Sequence, residues 1–260
     1  MNDFHLFDML PIWATALFIL TLILLSAFSG VKFVQWRGNR VKEDDGPLNT
    51  IVGANLALLA FILAFTFGLS TTRFDARKLF LLEEVNAIET AWLQAALVGE
   101  PYKSSVRDLL KEYVGLRIVI AENPEKVKEA IIRSNDIHKE IWKIVTSLVD
   151  QNPTSSPIHS LFVSSINDVF DSQTKRITVT LSYRIPAMIW AALFMLTIFS
   201  MFTVGYLFGR MEHINWYMIL ALSLAFTAVI LVIIDLDSSY GTININHQPM
   251  YNLYQRISVK

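Results

Sequence analysis

The chain has no cysteine among its 260 residues. That excludes a disulfide framework, a thiolate metal site and a cysteine nucleophile, and it leaves the redox compartment unread. The chain also lacks an excess of either charge: 22 Lys and Arg stand against 23 Asp and Glu, a net charge of −1. A nucleic-acid partner needs a basic face, so that class is set aside. The five histidines, His5, His138, His159, His213 and His247, are scattered without ligand spacing, so neither a metal nor another cofactor is expected. There is no glycine-rich phosphate loop, nucleophile elbow or His-Glu-x-x-His pair, and an enzyme is not expected. Internal repeats and low-complexity tracts are missing. The only alternating, strand-like stretch is "GTININ" near the end of the chain.

What the chain has is apolar length. Apolar residues make up 53% of it, too many for an ordinary soluble domain, while its charges are too many for a wholly embedded one. Four apolar runs, over 12–34, 51–70, 187–208 and 216–234, approach or exceed the roughly 20 residues that cross a bilayer. The first lacks a basic leader and a small-residue cleavage site, so it reads as a retained helix. The implied organisation is all-α: two membrane helices over 1–70, a helical extramembrane domain over 71–186, two more membrane helices over 187–234, and a tail over 235–260. With an even number of spans, both termini and the inserted domain share one side of the membrane.

The stretch "AFTFGLSTTRFDARKLFLLEEVNAIETAW" leaves the second apolar run and becomes charged, with no proline and only Gly68 to weaken a helix. One helix is expected to run through it, with Leu81, Val85, Ile88, Trp92 and Ala95 on one face, to a stop at Pro101. Span and extension together cover about 48 residues, or roughly 70 Å of rod. A second helix is expected from Tyr102 to Glu122, with Val106, Leu109, Leu110 and Tyr113 in register. A third follows Asn123 and Pro124, with Val127, Ile131, Ile137, Ile141, Ile144 and Leu148. After the loop "DQNPTSSP" a fourth starts near Pro157 and runs toward Pro186.

The stretch "TTRFDARKLFLLEEVNA" resembles the bestrophin signature that follows the second span, through Arg73, Phe74, Ala76, Arg77, Lys78, Leu79 and Phe80. Over nearly its full length the chain resembles the bacterial bestrophin-like membrane family, with its two-plus-two spans, helical insert and Asp-x-Asp element after the last span. Here that element is Asp235 and Asp237, followed by Gly241. The chain departs from bestrophins at Ser238, Ser239 and Tyr240, where an Asn-Pro-Phe run is usual, and it lacks the acidic run of the calcium-sensing members.

The resemblance implies an ion channel in the lipid bilayer, conducting inorganic ions, built as a homo-oligomer (a pentamer) with the second span lining the pore. On that span Ala57, Phe61, Phe65 and Gly68 share one face, and a ring of phenylalanines makes a hydrophobic constriction. The same positions can instead face lipid, and Gly53, Ala57, Ala60, Ala64 and Gly68 form a small-residue stripe suited to close helix packing. Asn55 either touches an ion or bonds a neighbouring helix. Arg73 and Arg77, one turn apart beyond the span, draw anions to the pore mouth, flank the lipid headgroups, or pair with Asp75, Glu83 and Glu84. Asp235 and Asp237 either bind a cation or pair with Arg184 or Arg73, and structural pairing is the expectation. Sidedness divides the evidence: the positive-inside rule places the loop after the first span in the cytoplasm, whereas the resemblance places the inserted domain there, in a bacterial inner membrane. The competing function is a non-conducting sensor or scaffold whose helical domain binds a protein partner.

Overall fold

The structure, a computed structural model, describes residues 11–37, 45–151, 157–211, 213–238 and 241–258. His5, Ser239 and Tyr240 lie outside the described residues. Eight α-helices are found among those described: α1 (Ile12–Arg37), α2 (Asp45–Ala95), α3 (Tyr102–Glu122), α4 (Val127–Gln151), α5 (Pro157–Ile177), α6 (Ala187–Gly209), α7 (Trp216–Asp237) and α8 (Gln248–Ser258). A 3-10 turn (Pro124–Lys126) leads into α4, and a π-helical turn (Thr178–Ser182) follows α5. The fold is all-α. Four of its helices, α1, α2, α6 and α7, are long and apolar enough to cross a membrane. The chain divides into two compact units: Met1–Phe74 with Arg184–Ile243, and Asp75–Tyr183 with Asn244–Lys260.

The first unit contains α1, α6, α7 and the part of α2 up to Phe74. Helices α1 and α6 meet at their backbones. A Cβ on Gly205 would lie 1.9 Å from the Ala27 carbonyl oxygen, and one on Gly30 would lie 2.1 Å from that of Phe202. Only glycine allows that approach, which lets the hydroxyl of Ser26 donate to the Ile198 carbonyl at 2.6 Å. Helix α2 is fastened to its neighbours by two hydroxyls. Ser200 of α6 donates to the Asn55 carbonyl at 3.2 Å, and Ser70 donates to the Ile233 carbonyl of α7 at 3.3 Å. Asn55 thus engages a neighbouring helix through its backbone.

The second unit holds the rest of α2 with α3, α4, α5 and α8. Its core takes Leu81, Val85 and Ile88 from α2, Val106, Leu110 and Tyr113 from α3, and Phe162, Ile166 and Val169 from α5. Three details differ from the sequence reading. Helix α2 stops at Ala95 rather than at Pro101, and the turn that follows uses Gly99 at φ 77°. The buried seam of α4 runs through Ala130, Ser134, Ile137, Ile141, Val145 and Leu148, so that Val127, Ile131 and Ile144 are only half-buried. The "GTININ" stretch forms no strand. The backbone N–H groups of Thr242 and Ile243 donate to the Asp235 carboxylate, and a helix, α8, follows.

Candidate functional site

Helix α2 has 51 residues, about 75 Å of α-helix, and its apolar run ends far short of its last turn. Within the first unit one side of it is covered: Val52, Leu59, Leu63, Thr66 and Ser70 are buried. The other side is open. Ala57 and Gly68 are exposed, Phe61 is 66% exposed and Phe65 51%. At 100° per residue these four positions fall within a narrow stripe. A Cβ added at Gly53 or at Gly68 meets nothing within 4 Å, in contrast to Gly30 and Gly205. The hydroxyls of Thr66, Thr71 and Thr72 donate back to the Ile62, Phe67 and Gly68 carbonyls.

The two arginines past the span are drawn off that stripe. Arg73 pairs with Asp237 through Nη1 and Oδ1 at 3.1 Å, and the Asp237 carboxylate also accepts the Ile185 backbone N–H at 3.3 Å. Arg77 is buried. Asp237 stands at the C-terminal end of α7, where a negative charge opposes the helix dipole, so a cation and a backbone donor compensate it. Its neighbour Asp235 accepts three hydrogen bonds, from the Thr242 N–H (2.7 Å), the Thr242 hydroxyl (2.8 Å) and the Ile243 N–H (2.8 Å). Gly241 is required for this cap: a Cβ there would lie 2.5 Å from Asp235 Oδ1 and 2.6 Å from its carbonyl oxygen. Within the chain, Asp237 thus pairs with Arg73, and Asp235 caps the segment that follows it. Arg73 takes Asp237 as its partner rather than Asp75, Glu83 or Glu84. Asp75 pairs instead with Lys78, and Glu83 with Lys175.

The second unit contains a group of polar residues that the sequence does not announce. Glu84 is fully buried beneath two guanidiniums. Arg176 hydrogen-bonds to its Oε2, and Arg117 Nε lies 3.0 Å from its Oε1. The Tyr113 hydroxyl donates to Glu84 Oε1 and accepts from Arg117 at 2.8 Å. Arg117 also donates to Gln173 Oε1 at 2.6 Å, and the Gln173 amide donates to Asn135 Oδ1 at 3.0 Å. Burial pushes the Glu84 carboxyl up, but Arg176, Arg117 and the Tyr113 hydrogen bond outweigh it and hold the pKa at about 2. Burial, then the Glu84 charge, pushes the Tyr113 phenol well up, so it stays a donor. The network crosses four helices and is ionised throughout the neutral range. Among the described residues no three His, Asp or Glu side chains come together as a metal site.

The Bestrophin-like domain profile matches residues 17–250. No curated protein matches the sequence. Solved structures with the same fold include a crystal structure described as a membrane protein (15% identity, 93% of this chain and 96% of that one, TM-score 0.68). Another is a bacterial bestrophin homologue from Klebsiella pneumoniae (14% identity, 95% and 97% covered, TM-score 0.65). A point variant of that Klebsiella protein aligns at 15% identity over 95% of each chain, with a TM-score of 0.67. The matched profile spans both pairs of membrane helices and the helical region between them, so the chain is an integral membrane protein that belongs to the Bestrophin-like family.

Proposed function

We propose that copies of this chain assemble around α2 into an ion channel, with Phe61 and Phe65 forming a hydrophobic neck and Ala57 and Gly68 lining the wider path on either side. The observation that carries this reading is the open stripe of α2. Two large aromatic side chains, 66% and 51% exposed, align there with glycines that no described residue covers. A ring of such side chains around an axis excludes water when narrow and admits ions when it widens. Membership of the Bestrophin-like family supports conduction and assembly as a pentamer. In this reading Arg73 acts through Asp237 as a tether at the end of the span, not as a free anion-attracting rim. The membrane is a bacterial inner membrane, and the inserted domain, 71–186, faces the cytoplasm.

The test is ion flux from proteoliposomes holding the purified protein, beside Phe61→Ala and Phe65→Ala. Flux that rises or changes selectivity in the variants is expected. Silence of the wild type and of both variants, across anions and cations, overturns the channel in favour of a non-conducting sensor or scaffold. The absence of native cysteine makes a second test direct. Single cysteines at positions 57, 61, 65 and 68 are expected to react with a water-soluble thiol reagent, and those at the buried positions 59, 63 and 66 are not.

A further inference from the structure

His138 sits on α4 with its ring stacked on Phe170 of α5, centroids 4.0 Å apart, and tilted against Tyr113 of α3 at 5.4 Å. Its Nε2 is buried and has no hydrogen-bond partner among the described residues. Beyond Tyr113 lies the buried network in which Arg117 and Arg176 face the single carboxylate of Glu84. A second histidine, His247, immediately precedes α8, and its carbonyl accepts the Met250 and Tyr251 N–H groups of that helix's first turn. The charged and titratable groups that face the two rings are Glu84 from α2, Tyr113 and Arg117 from α3, and Arg176 from α5. Gln173 and Asn135, which complete the network, carry no charge.

We propose that this cluster is an acid-sensing joint of the helical unit: protonation of His138 adds a cation beside a buried network that already holds two guanidiniums against one carboxylate, protonation of His247 places one at the foot of α8, and α4 and α8 are so released from the core. An imidazolium at position 138 would place a charged N–H where no acceptor exists, which is the costly form of a buried polar group. At position 247 it would put a positive charge at a helix N-terminus, where the dipole disfavours it. Burial first, and Arg117 second, depress His138 to about 4. Burial and then Arg176 lower His247, outweighing its hydrogen bond to the Ile245 backbone and the Glu84 charge, which raise it. Glu84, held at about 2, gains nothing to give as the pH falls toward 5. Neutral imidazoles are therefore part of the closed arrangement, and acid favours the open one.

Amide hydrogen exchange of the full-length protein in detergent micelles, corrected for intrinsic exchange, reads the joint directly and independently of ion conduction. With His138 at about 4 when closed and at the ordinary histidine value of 6.5 when open, the opening constant of α4 rises roughly twentyfold between pH 7 and pH 5. His138→Phe keeps the stack on Phe170 and removes the titrating nitrogen, and it should abolish the rise across 137–141 while leaving protection at pH 7 unchanged. His247→Gln should abolish the part of the response seen in α8. Equal protection of wild-type α4 at the two pH values overturns the proposal, and so does the same acid loosening in His138→Phe. If the phenylalanine variant does not fold, His138→Gln and the wild-type profile decide the matter.

Discussion

Replacing Glu84 by glutamine removes a charge and almost no volume, so its effect isolates the electrostatics of the buried network. Glu84 is fully buried, and the side chains of Arg117 and Arg176 are 4% and 14% exposed. Glutamine leaves both guanidiniums without an anion, and breaking a buried pair by removing one partner costs roughly 3–5 kcal/mol. Linkage gives a similar figure. Holding a carboxyl at about 2 instead of 4.5 in the folded state is worth about 3 kcal/mol. The sign follows from the depressed value: the stabilisation is complete above pH 4.5 and is lost as the pH falls toward 2. At roughly 2–4 °C per kcal/mol for a chain of this size, the Tm in detergent micelles at pH 7 should fall by about 10 °C. The double variant Glu84→Gln, Arg176→Met should recover part of that loss, because one unpaired cation leaves with its partner. A Tm for Glu84→Gln within about 1 °C of wild type would refute the argument, since it would mean that water, not Glu84, already balances the two arginines.

Other perturbations separate the packing sites. Gly205→Ala drives a Cβ to 1.9 Å from the Ala27 backbone, so it is expected to cost about 3 kcal/mol or more, or to prevent folding, as read by Tm and by recovery of monodisperse protein. Gly68→Ala meets no described residue, and by helix propensity it should leave the Tm unchanged or raise it by a stabilisation of up to about 1 kcal/mol. Gly241→Ala collides with Asp235 Oδ1 and should cost roughly 1–3 kcal/mol, with faster amide exchange at Thr242 and Ile243 as its local signature.

Helix type and extent were legible because each rests on a local pattern. Tyr102 and Glu122 bound α3 where the sequence places them, and the four apolar runs fall within α1, α2, α6 and α7. Helix α8 escaped notice although Met250, Leu253 and Ile257 are spaced for one buried face behind Pro249. The alternation of "GTININ" just before it suggested a strand, and a single sequence cannot show that Asp235 will take up that backbone's donors. The buried network was invisible for a different reason. Its members are joined by tertiary contacts that span up to 92 positions, and no spacing rule links them. The signal that was present is a charged residue on an apolar stripe. Glu84 falls beside Leu81, Val85 and Ile88, and Arg117 follows Val106, Leu110 and Tyr113 at helical intervals. A lone charge on a face that must be buried asks for a buried partner, and here each answers the other.

The glycines show how a structure narrows what a sequence leaves open. In sequence, the stripe through Gly53, Ala57, Ala60, Ala64 and Gly68 of α2 is as good a packing surface as the glycines of α1 and α6. In the structure, close backbone contact belongs to Gly30 and Gly205, whereas Gly53 and Gly68 face open space. Packing among the described residues therefore does not explain the small residues of α2. In the proposed assembly a neighbour from outside the chain does, whether lipid, a second copy or the water of an axial path. Lipid has no need of small residues, because acyl chains conform to large side chains as readily as to small ones. A second copy needs them wherever helices close on an axis. The pattern of large aromatics at Phe61 and Phe65 between Ala57 and Gly68 fits a path narrowed at its middle. Reaction of a cysteine at position 68 with a charged thiol reagent, and its slowing by a blocking ion, would separate water from protein at that position. A cysteine there that reacts only with a lipid-soluble reagent would return the stripe to the bilayer.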